Sequence, residues 1–259
     1  MNRVDSQRKI AAIIMAAGKG TRMKDPSRAK VMYELQGKPM VHYVVDLAFE
    51  LQCDRVLVIV GYQRETVTDY VMRSHPTAEC IVQAEQLGTG HAVMQTISAL
   101  REFAGDLLVL SGDVPLLKAS TMKRLVDDHR KTGAKATILT AELPDPTGYG
   151  RIVRNPDGSV KKIVEHKDAS AAELQIREIN SGIYVFEKST LFDGLQHIDA
   201  HNAQNEYYLT DVFEYFWKHG WKVSAVKADD ANEIRGINTI DQLKEAERVM
   251  ELRIRKAVF

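Results

Sequence analysis

The stretch that decides the fold is residues 10–23, which read IAAIIMAAGKGTRM. An apolar run of strand length leads into Gly18 and Gly20, and glycine adopts backbone angles that are closed to other residues. Such a turn lets main-chain N–H groups approach a ligand, and Lys19 and Arg22 place positive charge beside them. The stretch predicts a strand followed by a phosphate-binding loop, with an ordinary strand-to-helix turn as the alternative.

Spacing excludes two other glycine-rich loops. The P-loop pattern needs four residues between its glycines, whereas only Lys19 separates Gly18 from Gly20. The dinucleotide fingerprint needs a third glycine, where Met23 stands, and an acidic residue after the next strand, where residues 60–62 have none. A nicotinamide or flavin cofactor is therefore not expected.

Amino-acid composition limits which binding partners and which cellular compartment are expected. Lys plus Arg and Asp plus Glu both total 35 in the 259 residues, so no net charge attracts nucleic acid or an anionic membrane, and neither is expected as a partner. Cys53 and Cys80 lack a Cys-x-x-Cys spacing, which fits buried thiols in a reducing compartment. The polar first nine residues and the short strand after them do not resemble a secretory signal or a membrane span. We predict a cytoplasmic protein.

The order of predicted elements gives the fold class. Strand and helix patterns alternate over about residues 8–133, which indicates a Rossmann-like, doubly wound and mostly parallel sheet. Short strands dominate about residues 134–235 and predict a small, substrate-facing β lobe. A final helix is predicted at residues 239–258, with its start marked by the capping-box pattern Thr239-Ile240-Asp241-Gln242 and with Leu243, Ala246, Met250 and Ile254 on one apolar face. The expectation is one α/β domain with two halves.

A metal site is predicted where the strongest apolar run ends. Residues 107–110 lead into Ser111-Gly112-Asp113, and ligands of open α/β sheets gather at the carboxyl ends of strands. A carboxylate there suits Mg²⁺, which takes one or two protein oxygens plus substrate phosphates. Asn238, just before the last helix, offers a second oxygen. Asp113 could instead cap the turn before Pro115.

A second glycine-containing turn, residues 83–92, opens a predicted helix with Val93, Ile97, Leu100 and Phe103 on its apolar side. Free backbone donors at its start suit an anion or a base edge. Gln83 is either a base-reading amide or a surface amide, and His91 is expected to pack or cap. Glu165, after one strand, and Asn180, at the head of another, are either solvated end residues or ligands of sugar hydroxyls.

Together these motifs resemble the sugar-1-phosphate nucleotidyltransferases. Residues 16–23 resemble the nucleotide loop of that family. Five further segments resemble the uridyltransferase domain of bacterial bifunctional UDP-N-acetylglucosamine pyrophosphorylase: residues 83–92, 145–151, 164–169, 178–183 and 205–211. The resemblance extends over about residues 10–248, with the motifs in the same order.

The resemblance implies UTP and N-acetylglucosamine-1-phosphate as substrates and Mg²⁺ as the cofactor, in the synthesis of a cell-wall precursor. It implies that Arg22 and Lys30 hold phosphates and act in catalysis with Asp113, and that Asp113 and Asn238 hold the metal. The nucleotide-binding residues it implies are Met15, Ala16, Ala17, Gly18, Lys19, Gln83, Gly88 and Thr89. The sugar-binding residues it implies are Ser111, Gly112, Gly150, Glu165 and Asn180.

Four features depart from that family. Ala29 stands where relatives often have a proline before the loop lysine, Arg28 adds a charge to the exposed loop at residues 24–30, and Ser111 stands where some relatives carry an aromatic residue. The hexapeptide repeats of a left-handed β-helix acetyltransferase domain are missing from the sequence. The expectation is a stand-alone uridyltransferase or a shortened form of a longer chain, whose last helix could mediate weak self-association.

Three other functions remain open on the sequence. The same chemistry could serve another pair, such as glucose-1-phosphate with UTP or TTP. A metal-dependent glycosyltransferase shares this kind of sheet, but it usually binds its metal through an Asp-x-Asp pair, whereas this chain has Ser111-Gly112-Asp113. A catalytically silent nucleotide-sugar sensor is the third alternative.

Overall fold

The computed structural model describes residues 8–23, 25 and 27–258, except for the side chains of residues 256–258. Lys24 and Pro26 of the predicted exposed loop, and residues 1–7 and 259 of the predicted domain, lie outside it. The strands are β1 (Lys9–Ala16), β2 (Glu34–Leu35), β3 (Lys38–Pro39), β4 (Arg55–Val60), β5 (Glu79–Val82), β6 (Gly105–Ser111), β7 (Ala136–Glu142), β8 (Arg151–Arg154), β9 (Val160–Val164), β10 (Glu178–Glu187) and β11 (Val223–Lys227). The helices are α1 (Met40–Glu50), α2 (Arg64–Ser74), α3 (Thr89–Met94), α4 (Ala119–Thr132), α5 (Ala171–Leu174), α6 (Lys188–Gly194), α7 (Val212–Lys218) and α8 (Ile240–Val258).

One large sheet organises the described residues. Its strand order is β11-β7-β10-β6-β1-β4-β5, and the β8–β9 hairpin is attached through β10. β1 pairs in parallel with β4 and β6, whereas β10 is antiparallel to both of its neighbours. β2 and β3 form a separate small antiparallel pair. The predicted Rossmann-like, mostly parallel sheet is confirmed.

β1 shows why this sheet has helices on both faces. Ala12 and Ile14 belong to the core that includes α1, α2 and α4, while Ala11 and Ile13 belong to the core that includes α3, α6 and α7. Successive side chains of a strand point to opposite faces, so an apolar run without alternation requires two apolar environments. The continuous hydrophobicity of this strand therefore places it inside a three-layer domain.

The two predicted halves share this sheet. β7 and β11, from the second half, extend it as a parallel pair, and β10 joins them to β6 of the first half. The β8–β9 hairpin contacts β10 at the pair Ile179 and Arg151, and it forms the small β lobe. The division near residue 133 stays a prediction.

The predicted helix through Phe103 is shorter than expected. α3 ends at Met94, and the next amides, those of Gln95, Thr96 and Ile97, donate to carbonyls three residues back at 3.1, 3.0 and 3.2 Å. Thr96 Oγ1 also donates to Val93 O at 2.7 Å. Hydroxyl bonds to nearby carbonyls compete with regular helix geometry, and here they accompany a series of tight turns.

The last helix begins as predicted but presents a different face at its end. The Thr239 amide donates to Gln242 Oε1 at 3.1 Å and the Gln242 amide to Thr239 Oγ1 at 3.2 Å, which is the predicted capping box. Ile254, predicted to share the apolar face of this helix, is 51% exposed. Arg253 occupies the inner face at this turn, because its guanidinium donates to Leu116 O at 2.6 Å.

Within the described part of the chain, none of the helices combines the length and the apolar character needed to cross a bilayer.

Candidate active site

The end of β1 opens into a cavity of about 480 Å³. The residues that line it come from the first glycine loop, the second glycine turn and the end of β6. They include every residue predicted to bind the nucleotide: Met15, Ala16, Ala17, Gly18, Lys19, Gln83, Gly88 and Thr89. Three segments distant in sequence meet here because β1 lies between β4 and β6, so the carboxyl ends of these parallel strands share one edge.

Gly20 fixes the shape of the first loop. Its φ is +66°, in the left-handed region, and a Cβ at this position would overlap the side chain of Lys30. The Met23 amide donates to Gly20 O at 2.9 Å, which closes a turn at Arg22. The absence of a side chain at position 20 thus allows the aliphatic part of Lys30 to lie directly against the loop.

The second glycine turn is held by the segment at residues 205–211. The Gly90 amide donates to Tyr207 O at 2.7 Å, and the Leu209 amide donates to Thr89 Oγ1 at 3.0 Å. A Cβ on Gly88 would lie 2.6 Å from Tyr207 O, so this backbone contact requires glycine. The segment at residues 205–211 therefore fixes the second glycine turn, which lines the first cavity.

Gln83 is buried, with 3% of its surface exposed, so the surface-amide interpretation is wrong. Its Nε2 donates to Gly88 O at 3.2 Å and lies 3.1 Å from His91 Nδ1. These contacts fix the plane of the amide against the second turn. His91 was expected to pack or cap, and the structure shows that its Nδ1 also orients the Gln83 amide.

Four polar side chains form a charged cluster beside this cavity: Arg22, Lys30, Asp113 and Asn238. Lys30 Nζ donates to Asp113 Oδ2 at 2.5 Å and to Asn238 Oδ1 at 2.9 Å. Arg22 Nη2 donates to the same Asn238 oxygen at 2.9 Å. The Ile237 amide donates to Asp113 O at 2.9 Å, which fixes the approach of the chain before α8. Two cations and two oxygen ligands are thus brought together from three segments.

The oxygens of this cluster suit a divalent cation. Asp113 Oδ2 and Asn238 Oδ1 both accept from one ammonium group, so they face a common point of positive charge. The Asp113 side chain is only 15% exposed, which limits competition from water. Mg²⁺ is held by one or two protein oxygens together with phosphates, and this donor set fits that requirement.

A second cavity, of about 190 Å³, holds the predicted sugar ligands Gly150, Glu165 and Asn180. The Asn180 amide donates to Gly150 O at 2.9 Å, and a Cβ on Gly150 would lie 3.4 Å from Glu165 Oε2. Gly150 therefore allows Glu165 to approach the wall of the cavity. Asn180 was expected at the head of a strand, but β10 begins two residues earlier and buries it.

Burial shapes the chemistry of this second cavity. Desolvation raises the pKa of Glu165, although the Thr210 hydroxyl, which donates to Glu165 Oε1 at 3.1 Å, opposes that rise. Burial also raises the pKa of nearby Asp211 to about 6, with Glu165 as the largest contributing charge. Among the described residues, the Thr210 hydroxyl is the side-chain partner of the Glu165 carboxylate, and no cation forms an ion pair with it.

Sequence reasoning missed two residues of this cavity. Tyr184 OH accepts from Asn180 Nδ2 at 2.7 Å, and it reaches that position because the register of β10 shifts between these residues, near Gly182 with φ of +77°. An aromatic residue in an apolar strand gave no signal of this role. Thr210 lies within residues 205–211, one of the segments that resemble the nucleotidyltransferase family. Its hydroxyl could therefore have been predicted from the sequence as a candidate site group.

Three predicted site residues line neither cavity: Gly112, Arg22 and Asn238. The Gly112 amide donates to Met15 O at 2.9 Å, across to β1. Lys19 lines the first cavity, with its ammonium 5.5 Å from the centre of the Tyr62 ring. Ser111 lines both cavities, as do Met15 and Thr89, so the two spaces adjoin.

Comparison with known proteins agrees with this geometry. Residues 11–235 match the profile of the family described as nucleotidyl transferase. The chain belongs to that family. The predicted resemblance is thereby confirmed at the level of the family, and this nucleotidyl transferase domain can be compared with its relatives.

The domain is 49% identical over 243 residues to the bifunctional protein GlmU of Geobacillus sp. (strain WCH70), an alignment that covers 94% of this chain and 52% of the relative. It is 47% identical over 245 residues to the bifunctional protein GlmU of Pelotomaculum thermopropionicum, covering 95% and 53%. The chain thus spans about half the length of the curated relatives it matches. The crystal structure of a UDP-glucose pyrophosphorylase complexed with UDP-glucose shares the fold, with a TM-score of 0.77, 18% identity and coverage of 95% of this chain and 99% of that chain.

Proposed function

We propose that this domain transfers UMP from UTP to N-acetylglucosamine-1-phosphate and releases pyrophosphate. The observation that carries the proposal is the junction of the two cavities at Met15, Thr89 and Ser111. A nucleotide in one cavity and a sugar phosphate in the other would bring their phosphates to this junction. The charged cluster of Arg22 and its neighbours is reached through Lys30 and Asp113, which also line the first cavity.

The reaction needs positioning more than covalent chemistry. An oxygen of the sugar 1-phosphate forms a bond to the α-phosphorus of UTP, and the bond from that phosphorus to the bridging oxygen of pyrophosphate breaks. The nucleophile is already ionised, so no side chain has to remove a proton from it. The protein must align the two substrates and neutralise the charge on their phosphates.

The charged cluster supplies that neutralisation. Arg22 and Lys30 would bind phosphate oxygens, since both are cations with donors directed to one region. Asp113 and Asn238 would hold a divalent cation, most suitably Mg²⁺, which when bound neutralises phosphate charge. A substrate phosphate would compete with Asp113 for the ammonium of Lys30, and this competition links substrate binding to release of the carboxylate.

The remaining residues account for substrate recognition. Gln83, Gly88 and Thr89 would contact uracil, because the fixed amide and the backbone of the second turn present donors and acceptors to the cavity. Glu165, Asn180 and Gly150 would bind the sugar through its hydroxyl and acetamido groups. The motif resemblance of residues 164–169 and 178–183 is what supports an N-acetylated sugar.

A matrix of substrates tests the proposal. Pyrophosphate release is measured with Mg²⁺ for each combination of nucleoside triphosphate and sugar 1-phosphate. Rapid turnover restricted to UTP with N-acetylglucosamine-1-phosphate is the expected result. Preference for glucose-1-phosphate or TTP would keep the chemistry but overturn the assigned roles of Glu165 and Asn180, and no release in any well would overturn the proposal.

A cytoplasmic location is also proposed. It is supported by Cys53 and Cys80, which are free thiols, and burial raises the pKa of both, to about 12 for Cys53. Thiols of this kind are inert and fit a reducing compartment.

A further inference from the structure

A second group of metal-binding side chains lies away from the active site. His42 and Asp46 are four residues apart on α1, and His75 follows the end of α2. One ligand atom from each lies within 4.8 Å of the others. His75 precedes β5, so it lies toward the amino ends of the parallel strands, the edge opposite the nucleotide loop. This group has no part in the reaction proposed above.

Both imidazoles direct Nε2 at the same carboxylate. His75 Nε2 is 2.7 Å from Asp46 Oδ1, and His42 Nε2 is 3.0 Å from Asp46 Oδ2. Each ring is held on its other side, since His42 Nδ1 is 3.2 Å from Tyr70 OH and His75 Nδ1 is 2.9 Å from Ser74 Oγ. Metal-binding histidines characteristically engage their second nitrogen in this way, which fixes the ring and its tautomer.

The contacts of Ser74 bear on the tautomer of His75. Ser74 Oγ lies 2.8 Å from Tyr70 O and 2.9 Å from His75 Nδ1. When its single proton is donated to the carbonyl, Ser74 accepts from His75 Nδ1, and the lone pair of His75 Nε2 is directed at Asp46 Oδ1, 2.7 Å away. In that arrangement a cation between Nε2 and the carboxylate, either a proton or a metal ion, offsets the repulsion of the two electron pairs.

His42 gives a second, independent indication. Its Nε2 is buried and has no hydrogen-bond partner among the described residues, because its contact with Asp46 lacks hydrogen-bond geometry. A buried imidazole nitrogen without a hydrogen-bond partner is an available metal ligand.

We propose that His42, Asp46 and His75 form a site for a divalent transition-metal ion, with Zn²⁺ the best match. Imidazole suits Zn²⁺ whereas Mg²⁺ prefers oxygen ligands, so this site would select a different ion from the one proposed for Asp113. Tetrahedral ligands at zinc bond lengths of about 2.0–2.1 Å are separated by about 3.4 Å, so the three side chains need only small rotations. Water would complete the coordination through the exposed side of Asp46.

The consequence of such a site is a link between α1 and α2. The surrounding rings already restrict His75, since Phe49 stacks on it with centroids 5.6 Å apart and planes 5° from parallel. The alternative to a metal is a proton on His75 Nε2, donated to Asp46 Oδ1 at 2.7 Å. The two states differ in whether a metal ion is bound, so a measurement of bound zinc distinguishes them.

The test is a zinc titration of untagged, chelator-treated protein, followed by calorimetry and by ¹⁵N spectra of the histidine rings. We expect one zinc per chain, with shifts at Nε2 of both His42 and His75. His75→Ala and Asp46→Asn should weaken binding by at least about 100-fold, and Tyr70→Phe by about 10-fold, as expected for ligands and for a group that orients one. Asp46 is half exposed, so its replacement should leave the fold intact.

Two control variants make the result specific. His201→Ala removes an exposed histidine that pairs with Asp199 at 3.2 Å, and it should leave zinc affinity unchanged. Asp113→Asn should also leave it unchanged. If Asp113→Asn loses zinc binding while His75→Ala retains it, the ion binds in the active site and the proposal is overturned. The absence of saturable zinc binding by the wild type would also overturn it. Neither outcome depends on the substrate assignment.

Discussion

The proposed phosphate end and the proposed sugar end of the candidate active site are built from different interactions. At the phosphate end, Lys30, Arg22, Asp113 and Asn238 are joined by charged hydrogen bonds of 2.5 to 2.9 Å. At the sugar end, the carboxylate of Glu165 has a hydroxyl as its partner and its pKa is raised by burial. The first region is organised around opposite charges, and the second around a carboxylate whose partner among the described residues is a neutral hydroxyl.

This difference suggests a separate contribution of each end to the proposed transfer of UMP. Charged side chains stabilise a phosphate most strongly in the transition state, when the phosphate is reacting. Substitutions at the proposed phosphate end should therefore lower turnover. Hydrogen bonds to a sugar are the same before and during the reaction, so changes there should weaken binding and leave turnover nearly unaltered. Each variant below tests one side of this contrast.

The largest effect is expected for Asp113→Asn at the phosphate end. Loss of the charge should lower kcat by roughly 10²–10³-fold, equivalent to about 3–4 kcal/mol, by analogy with losing one group that stabilises a transition state. Pyrophosphate release at saturating substrates and limiting Mg²⁺ measures it. Asp229→Asn, at a carboxylate that is 82% exposed and paired with Arg124, is the matched control and should be neutral. Near-normal turnover of Asp113→Asn would falsify the metal role.

A smaller loss is expected for Gly20→Ala. The added methyl group would displace Lys30, and a shift of that order at a positioning residue lowers kcat/KM by roughly 100-fold. Gly158→Ala is the control, because Gly158 also has a positive φ, of 84°, but a Cβ there would meet nothing within 4 Å. Both variants should lose about 1 kcal/mol of stability from backbone strain, so equal activities would show that the contact with Lys30 is unimportant.

The sugar end should respond differently to Glu165→Gln. Loss of a charged acceptor should raise KM for the sugar phosphate about tenfold, or ~1.4 kcal/mol, while kcat stays within about threefold. Steady-state kinetics with the sugar phosphate varied measures the split. Glu142→Gln, at an exposed carboxylate paired with Lys227, should change neither constant. A fall in kcat at constant KM would contradict the contrast between the two ends.

The smallest effect is a pH-dependent gain in stability for Asp211→Asn. The pKa of Asp211 rises from 3.8 to about 6 on folding, so ionisation of this buried carboxyl opposes folding. That penalty is absent below pH 3.8 and complete above pH 6. Within the described residues, the Asp211 side chain makes no capping hydrogen bond at the start of α7. The Asp211→Asn variant therefore loses no capping hydrogen bond.

The expected gain for Asp211→Asn is therefore about 1 kcal/mol at pH 8, after allowance for partial solvent exposure, and it should shrink between pH 6 and pH 4. Thermal unfolding at a series of pH values measures it as a shift of a few degrees in Tm. A gain that is equal at pH 4 and pH 8 would have a different cause.

The order of the elements could be read from local pattern. β1 and β6 are apolar runs that match their predicted strands closely, and α8 begins at the capping box that predicted its start. Hydrophobic periodicity and capping act between residues a few positions apart, so one sequence contains the information. The glycine loop and Asp113 were located for the same reason, since each directly follows one of these strands.

Contacts between distant segments could only be decided by the tertiary structure. Arg22 and Asn238 are 216 positions apart, and only the sheet order and the docking of α8 bring them to one point. The burial of Gln83 and the turn of Tyr184 toward Asn180 also depend on neighbours that sequence position does not identify. The sequence by itself determined which strands end in chemically useful residues. The packing of those strands decided which residues meet, because a hydrogen bond or an ion pair depends on distance in space and not along the chain.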